Sequence, residues 1–455
     1  MTTRKRIWGW YFFDWASQPY YTLMLTFVFG PFFAATASSY FLGQGLSDTQ
    51  ADAKAQEMWS WALTVCGLII AFSAPIMGKI ADTQGRRLPW IMGFSTMLVL
   101  GAGAAWFTDP NGSNLVFALC AFSVGFIGAE LALIFTNAQL PDLGDDTEVG
   151  AISGSGFAFG YAGGLVALIV VLVFFVEQDN GRTIAGLEPL FGLLDPTAKE
   201  GTRAVTLFVA LWFMVFMIPY FRSVVDGTPT GQKLSPFGAF SEVKSTVVRV
   251  FGHQSLRSYL ISSMFYRDAM NGLYSFGAIY ATLVLDWSLT LLGVFGIVSA
   301  LAAAVFSWLG GFWDRKAGPK PVIITCILTL TLVCVTIVGM TREAIFGIPL
   351  EQGSVVPDAI FFGCGVIIGG LGGILQSASR SMMVRHTTPE RATEAFGLYG
   401  LSGRATAFLA PFSIAVVTAL TENARLGVTP LIVLFGLGLL FIFKVNANGD
   451  RSAWD

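Results

Sequence analysis

The residues Gly78-Lys-Ile-Ala-Asp82-Thr-Gln-Gly85-Arg86-Arg87 follow the second long apolar run of the chain. A related stretch, Gly310-Gly-Phe-Trp-Asp314-Arg315-Lys316-Ala-Gly318-Pro-Lys320, follows the eighth apolar run with one inserted residue. Each stretch has a glycine four residues before an aspartate, and each continues with a second glycine and basic side chains. The same short pattern at corresponding places indicates that the chain consists of two related halves.

The side chains of the first stretch have separate structural uses. Gly78 lets the second run approach a neighbouring helix closely. Asp82 can meet the positive N-terminus of another helix or a guanidinium group. Gly85 permits a tight turn, and Arg86 and Arg87 hold the loop at a membrane face. A merely basic loop would explain the arginines, but it would not explain the spaced aspartate and glycines.

The composition indicates what surrounds these loops. The chain has 455 residues, of which 54% are hydrophobic and only 12% are charged, and its mean hydropathy is +0.66. Soluble domains carry about 25% charged residues. The exterior of this protein must therefore face lipid. The net charge of −2 gives no reason to expect a nucleic acid as a partner.

Apolar runs long enough to cross about 30 Å of hydrocarbon recur along the whole chain. Each run must be helical, because lipid offers no partner for free backbone groups. The predicted fold is an all-α integral membrane protein with twelve transmembrane helices. The predicted spans are 10–36, 58–80, 89–107, 115–139, 150–176, 204–221, 258–285, 289–312, 322–341, 358–379, 395–420 and 427–444.

Twelve spans place both termini on one side of the membrane, and the basic residues identify that side. One side carries 19 of the 27 Lys and Arg residues, the other carries six, and Arg267 and Arg404 lie inside spans. Loops rich in Lys and Arg stay in the cytoplasm. We therefore expect both termini to be cytoplasmic.

A long basic stretch, 222–257, divides the chain into two sets of six spans. It predicts an N-terminal bundle at 1–221, a cytoplasmic linker at 222–257 and a C-terminal bundle at 258–455. Spans one and seven match at a constant offset, with the pairs Phe12/Phe265, Ala16/Ala269, Gln18/Asn271 and Tyr21/Tyr274. Two parallel six-helix repeats around a central cavity are typical of secondary transporters, whose solute site lies between the repeats near mid-membrane.

The first stretch resembles the signature loop of the major facilitator superfamily, and the second is a degenerate copy. Further segments resemble the branch that contains the yeast vacuolar amino-acid effluxer of autophagy and its bacterial relatives of unknown substrate. These segments are 10–16, 137–142, 154–164, 376–381 and 394–405. The resemblance covers essentially the whole chain. It implies the major facilitator fold, a cavity lined by spans one, four, seven and ten, and a latch between the halves that holds the outward-open state. It also implies amino acids as the solute class and a bacterial inner (plasma) membrane.

Charged side chains inside spans cost at least about 2.5–3.5 kcal/mol each on insertion scales. Five are present: Asp14, Glu130, Arg267, Asp268 and Arg404. The first four fall on the spans that the resemblance assigns to the cavity. Asp14 and Arg267 occupy equivalent positions in the two halves, which motivates the hypothesis of an ion pair that bridges the halves as a gate. Asp268 could compete for Arg267 instead, and a static ion pair that only holds the bundle is the plainer reading.

Glu130 has no cationic neighbour one helical turn away in the sequence, so it is a candidate for proton coupling. The alternatives are a ligand for a solute amine, or a neutral glutamic acid bonded to a backbone carbonyl. Arg380 ends span ten and is assigned to packing. Arg404 could serve the Asp82 latch if its helix starts late, because the resemblance places span eleven against span two.

Two residue sets summarise these candidates, and interhelical packing is an equally good account of the uncharged ones. The solute or coupling set is Asp14, Gln18, Tyr21, Glu130, Asn137, Arg267, Asp268, Asn271 and Gln376. The gating set is Gly78, Asp82, Gly85, Arg86, Arg87, Gly310, Asp314, Arg315, Gly318 and Lys320, with Arg380 and Arg404 as helix-end and packing residues.

Other functional classes find little support in the sequence. No G-x-x-x-x-G-K-[ST] loop is present, which argues against ATP-driven pumping. The acidic loop 142–148 resembles one carboxylate cluster of a membrane prenyltransferase, but a second cluster is missing, so we expect no enzyme, no metal and no cofactor. His253 and His386 are expected to be solvated in loops. The sequence thus predicts a monomeric transporter of a small solute in a lipid bilayer, with proton coupling open and a non-transporting receptor or scaffold as the rival.

Overall fold

The computed structural model describes residues 3–178, 180–232, 234–283, 285, 287, 289–421, 423 and 425–454. The N-terminal half contains α1 (Thr3–Pro19), a π-helix (Tyr20–Phe27), α2 (Phe29–Gly43), α3 (Asp48–Gln84), α4 (Leu88–Ala105), α5 (Leu115–Asn137), α6 (Val149–Phe174) and α7 (Glu200–Ser223). The remainder contains α8 (Pro236–Gly252), α9 (Gln254–Leu283), α10 (Leu289–Ala317), α11 (Pro319–Gly339), α12 (Val356–Arg385), α13 (Ala392–Ala405), α14 (Leu409–Thr421) and α15 (Thr429–Ile442). A small hairpin of β1 (Ala344–Ile345) and β2 (Ile348–Pro349) joins α11 to α12.

The helices confirm the predicted fold class of twelve transmembrane helices. Among the described residues, ten helices are long and apolar enough to span a membrane, and the shorter apolar segment Leu426–Ile442 supplies span twelve. Span seven is α9, whose 30 residues measure about 45 Å. Helix α8 lies between the two sets of six spans.

Two spans are interrupted, which the sequence analysis did not predict. Span one changes from α1 to the π-helix after Pro19, and Pro19 has no N–H to donate to the carbonyl of Trp15. The Trp212 indole donates to that carbonyl instead, at 3.2 Å. Span eleven breaks at 406–408, between α13 and α14, shortly before Pro411. The predicted spans 10–36 and 395–420 each correspond to one candidate span, Thr3–Gly43 and Pro389–Thr418, and each contains a local change in helix geometry.

The same helix pairs recur in both halves. Span one packs on span six, where the Trp15 and Trp212 rings stack at 5.9 Å. Span seven packs correspondingly on span twelve, where the Ser262 hydroxyl donates to the Gly438 carbonyl at 2.6 Å. Spans three and six pair in the first half, as do spans nine and twelve in the second. This recurrence is what two six-helix repeats require.

The chain divides into two compact units. Unit 1 comprises Met1–Ala74, Thr83–Thr136 and Phe159–Gln232. Unit 2 comprises Pro75–Asp82, Asn137–Ala158 and Lys233–Asp455. Unit 2 thus contains the end of span two and the segment that joins spans four and five. We call the helix ends of unit 2 near Lys79, Asp146, Arg249, Arg315 and Arg385 its basic end.

Candidate functional site

The first signature loop fastens α3 to the start of α13 at the basic end. A Cβ atom on Gly78 would lie 2.6 Å from the carbonyl oxygen of Thr393, so only glycine allows this approach. The Asp82 carboxylate accepts a hydrogen bond from the backbone N–H of Glu394 at 2.8 Å. Glu394 lies in the first turn of α13, where the helix dipole is positive and favours an anion. We call the contact of Asp82 with Glu394 the latch.

Charged side chains surround the latch. Lys79 is 6% exposed, and its Nζ lies 3.0 Å from Glu242 of α8 and 3.5 Å from Glu394. Arg391 reaches the same Glu394 carboxylate at 3.2 Å, and Glu394 is fully buried. Removing one member of such a buried group would leave an uncompensated charge, which is strongly destabilising. The latch is therefore part of a network that also holds the linker helix α8.

The rest of the first loop lies in unit 1. Gly85 has a φ of +68°, and a Cβ there would collide with the Thr228 carbonyl. Asp226 accepts the Arg87 backbone N–H at 2.8 Å, and its second carboxylate oxygen lies 3.6 Å from Arg86 Nε. The start of the linker thus holds the turn in place.

The second signature loop meets the start of α6, as the first meets the start of α13, but without the hydrogen bond among the described residues. Asp314 is 2% exposed, and a Cβ on Gly150, in the first turn of α6, would lie 2.5 Å from Asp314 Cγ. A Cβ on Gly154 would lie 2.6 Å from the α-carbon of Gly311, so the two helices touch backbone to backbone. Ser381 lies near the Asp314 carboxylate, yet neither carboxylate oxygen has a hydrogen-bond partner among the described residues.

The other members of this loop have local structural contacts. Gly310 packs against Ile374, and Gly318 has a φ of +78° at the start of α11. Lys320 donates to the carbonyls of Phe443 and Val445, at 3.1 and 2.7 Å, beyond the end of α15. Arg315 is exposed. Its charge helps to lower the pKa of Asp145, although the main cause is the hydrogen bonds from Thr147.

Arg380 of α12 bridges to the end of α5 and the beginning of α6, which the packing assignment from sequence did not anticipate. Its guanidinium donates to the Asn137 side chain at 2.9 Å, and to the Ser153 hydroxyl and carbonyl at 3.1 and 2.9 Å. It also lies 3.8 Å from the centre of the Phe157 ring. Asn137, Ser153 and Phe157 are neutral, and Arg380 is 3% exposed. Asn137, a candidate solute ligand, is thus engaged by Arg380.

Arg267 of α9 begins a column of stacked groups. Its guanidinium lies 4.3 Å from the centre of the Tyr399 ring and donates to the Tyr399 carbonyl at 3.0 Å. Tyr399 stacks on Tyr259 at 6.0 Å, and Tyr259 stacks on His386 at 5.4 Å. Within the described part of unit 2, no carboxylate forms an ion pair with Arg267.

Asp268 does not compete for Arg267, so that alternative was wrong. Its carboxylate accepts the backbone N–H of Ala410 at 2.9 Å, in the first turn of α14. Adjacent residues on a helix point in different directions, which is why Asp268 faces another helix than Arg267 does. Asp268 therefore caps the second part of the broken span eleven.

His386 is fully buried, so the expectation of a solvated histidine was wrong for this residue. Its Nδ1 lies 2.9 Å from the Met382 carbonyl, and its Nε2 lies 2.8 Å from the Ser255 hydroxyl. A carbonyl only accepts, so Nδ1 carries the proton and Nε2 accepts from Ser255. Burial lowers the pKa of His386 to about 4, which keeps the ring neutral. His253, by contrast, is partly exposed beside Asp450.

The remaining candidates are spread over both units. In unit 1, Asp14 is buried against Gly160, and Gln18 packs on Gly164, so span one lies close to span five. Tyr21 lies in the π-helix, and Glu130 is half-buried on α5. In unit 2, Asn271 is exposed on α9 and Gln376 is half-buried on α12.

Arg404 cannot serve the latch, and this expectation was wrong. Helix α13 starts early, at Ala392, so Arg404 lies in its last turn. Ten residues separate Arg404 from Glu394, or about 15 Å along the helix. The side chain is too short to reach Asp82 over that distance.

Comparison with known proteins identifies the fold and its family. The family model described as "Vacuole effluxer Atg22 like" matches residues 148–453, and the model "Major Facilitator Superfamily" matches residues 3–168. The chain belongs to the Atg22-like family of the major facilitator superfamily. This confirms the resemblance that the signature loops and the shorter segments indicated.

Individual relatives agree with the Atg22-like assignment. The "Uncharacterized MFS-type transporter YxiO" of Bacillus subtilis is 24% identical over 95% of this chain and 93% of its own length. "Autophagy-related protein 22" of Cryptococcus neoformans is 25% identical over 59% of this chain and 51% of its own length. The crystal structure of the transporter FucP in the outward conformation shares the fold, with a TM-score of 0.68 and 13% identity over 97% of this chain and 99% of that chain. This Atg22-like protein is thus an integral membrane transporter.

Sequence reasoning missed three parts of this site. Asp268 as a helix cap, Arg380 as a bridge and the stack that ends at His386 all depend on partners more than 100 residues away. A signal was present for the first of these, because Pro411 inside an apolar run predicts a helix interruption. No local signal distinguishes His386 from an ordinary loop histidine.

Proposed function

We propose that this Atg22-like transporter exports a small polar solute with an anionic group, with amino acids as the leading class, and that it does so as a monomer by alternating access. Arg267 is the observation that carries the proposal. A charged group inside a span has a functional reason by default. The family description, an effluxer, supports the direction of transport.

The surroundings of Arg267 suit a carboxylate ligand. Tyr399 orients the guanidinium plane through the ring contact and the carbonyl, and the other N–H donors meet no acceptor among the described residues. Arginine binds carboxylates through two parallel hydrogen bonds, so one residue gives both affinity and orientation. Asp268 accepts a hydrogen bond from α14 and forms no ion pair with Arg267 among the described residues.

The latch and the Arg380 bridge support a closed cytoplasmic gate. We propose that bundles 1–221 and 258–455 rock about the solute site, with 222–257 as their linker. The latch, the bridge and the glycine contacts of Gly150 and Gly154 would have to separate before solute enters from the cytoplasm. Small residues at such contacts permit close packing that can be broken and remade.

The charged residues of spans one and four complete the proposal. Without solute, Asp14 would neutralise Arg267, because the two positions are equivalent in the repeats. The solute carboxylate would then displace Asp14. Glu130 would carry the coupled proton, because a charged residue inside a span has a functional reason by default.

The experiment compares carboxylate and amide forms of one solute in proteoliposomes. Arg267→Gln should raise the KM for amino acids about tenfold, the loss of one charge-assisted contact. It should leave transport of the corresponding amino-acid amides unchanged. Lys316→Gln, at an exposed basic residue of α10, is the control and should change neither. Equal loss for both solute forms would refute the ligand role, and solute binding without flux would favour a receptor.

The same vesicles test the charge pair and the proton. Asp14→Arg combined with Arg267→Asp should recover part of the transport that each single change removes, whereas a pair without mutual contact would show no recovery. Glu130→Gln should abolish accumulation driven by a pH gradient and keep solute exchange. Glu130 has no coupling role if gradient-driven uptake survives.

A further inference from the structure

Helix α8, which connects the two halves, has three distinct faces. Its buried face packs on unit 2 through Ala239, Val243, Thr246 and Val250. A second stripe at helical spacing is apolar and exposed, and it consists of Phe237, Phe240, Val248 and Phe251. Polar and charged residues, including Ser245 and Glu242, occupy the third face. A helix in water needs only two faces, so the exposed phenylalanines require a second apolar environment.

An apolar groove opens beside this helix. It is formed by Val247 and Val250 of α8, Ile261 and Met264 of α9, and Leu398 and Leu401 of α13, and it encloses about 180 Å³. All these helices belong to unit 2. Arg257 is the charged residue of the lining.

Arg257 lies at the end of the groove where α9 begins. One guanidinium nitrogen donates to the carbonyl of Phe251, at the end of α8, at 2.9 Å. Its other N–H groups meet no protein acceptor in the described ranges. Met264, the deepest residue on α9, lies seven residues further along, or about 10 Å into the span. A cationic head thus precedes an apolar channel that runs in the direction of the hydrocarbon.

We propose that this groove binds an anionic phospholipid, with its phosphate on Arg257 and part of one acyl chain between α8, α9 and α13. The exposed phenylalanine stripe of α8 would lie in the same interface, as interfacial helices do. Arg249 lies in the last turn of α8, whose end carries the Phe251 carbonyl that Arg257 contacts, so it adds positive charge on the phosphate side. The acidic Glu242 of α8 is already paired with Lys79.

The position of the groove gives the lipid a route to the gate. Leu398 and Leu401 belong to α13. In the first turn of the same helix, the Glu394 N–H donates the latch hydrogen bond to Asp82. Helix α8 is tied to the same latch through Glu242 and Lys79. The lipid therefore touches both helices that the latch network holds. This inference does not depend on which solute is carried.

Native mass spectrometry of the full-length protein tests the site with two probes, phosphatidylglycerol and phosphatidylcholine of equal chain length. The wild-type protein should bind phosphatidylglycerol at least about fivefold more tightly, a gain of about 1 kcal/mol. Arg257→Gln should abolish this preference without weakening phosphatidylcholine binding. Ile261→Trp, which fills the groove from a half-buried position, should weaken binding of both lipids.

The control is again Lys316→Gln. Lys316 is exposed at the basic end and lies outside the groove, so this variant should bind both lipids as the wild type does. Unchanged thermal unfolding shows that each variant is folded. The proposal is overturned if Arg257→Gln and Lys316→Gln have equal effects, or if the two lipids bind alike. It is also overturned if Ile261→Trp converts a dimer to a monomer, because the groove would then be covered by a second copy of the chain.

Discussion

The two signature loops use the same spacing of glycine and aspartate, but they close their contacts by different means. Asp82 accepts a backbone hydrogen bond from α13 amid a network of charged residues. Asp314 meets the start of α6 with no hydrogen-bond partner in the described structure, and neighbouring glycines bring the two helices into direct contact. The first loop is therefore a polar latch and the second a packed joint. A shared sequence pattern specifies where two helices meet, but the surrounding residues decide what holds them.

The largest effect is expected from wedging either contact apart. Gly78→Leu and Gly154→Leu each place side-chain atoms inside backbone of the facing helix, and overpacking costs about 1–3 kcal/mol. Solute exchange should fall about tenfold or more. Gly93→Leu is the matched control, since a Cβ on Gly93 meets no atom within 4 Å. Normal exchange by either variant would show that its contact is not part of the transport cycle.

The next largest effect is expected at Arg380, which donates hydrogen bonds to Ser153 of α6, the helix that Asp314 meets without a hydrogen bond among the described residues. Arg380→Gln removes charged hydrogen bonds to Ser153 and Asn137, each worth about 1.5–3 kcal/mol. Thermal unfolding should shift to lower temperature, and a cysteine placed at Ser153 should react faster with a water-soluble reagent. Arg380→Lys, which keeps the charge, should unfold at a temperature between those of the wild type and Arg380→Gln. An unreactive Ser153→Cys in the Arg380→Gln background would contradict the bridge.

A smaller effect is expected in the pH dependence of stability, which should come from the buried His386 and not from the partly exposed His253. His386 lies beyond the end of α12, and burial lowers its pKa to about 4. Its unfolded pKa of about 6.5 is higher, so the unfolded chain binds more protons below that pH. Stability should therefore be complete above about pH 6.5 and fall by about 2 kcal/mol as the pH drops to 5. His386→Gln should lose this dependence, whereas the partly exposed His253→Gln should keep it. Identical pH profiles for the wild type and His386→Gln would contradict the buried neutral ring.

The smallest effect is the difference between two conservative changes. Asp82→Asn weakens a charge-assisted bond at a helix N-terminus and should lower stability by about 1 kcal/mol. Asp314→Asn removes a charge that has no hydrogen-bond donor among the described residues, so stability should change by less than about 0.5 kcal/mol or rise. Thermal unfolding of both variants measures the difference. Equal losses would mean that the two aspartates are held alike.

The sequence predicted most of the fold, because spans and repeats depend on composition and spacing. Gly78, Asp82 and Gly85 could be assigned structural uses from their spacing alone. Three features could not be predicted. The change of helix type after Pro19 is hidden by continuous apolar character. Pro411 signals an interruption but not its partner, because the role of Asp268 depends on a residue 142 positions away. The burial of His386 results from Tyr259 and Ser255, whose positions only the folded chain defines.

The break in span eleven divides this span into two helices, α13 and α14, that make separate contacts. A continuous rigid helix would transmit a tilt at one end directly to the other end. Here α13 is held by Asp82 and α14 is seated on Asp268, with residues 406–408 as the joint between them. We expect that releasing α13 from Asp82 leaves the contact of α14 with Asp268 in place. A transporter with such a break in one span can release the contact at α13 before the contact at α14 begins to change.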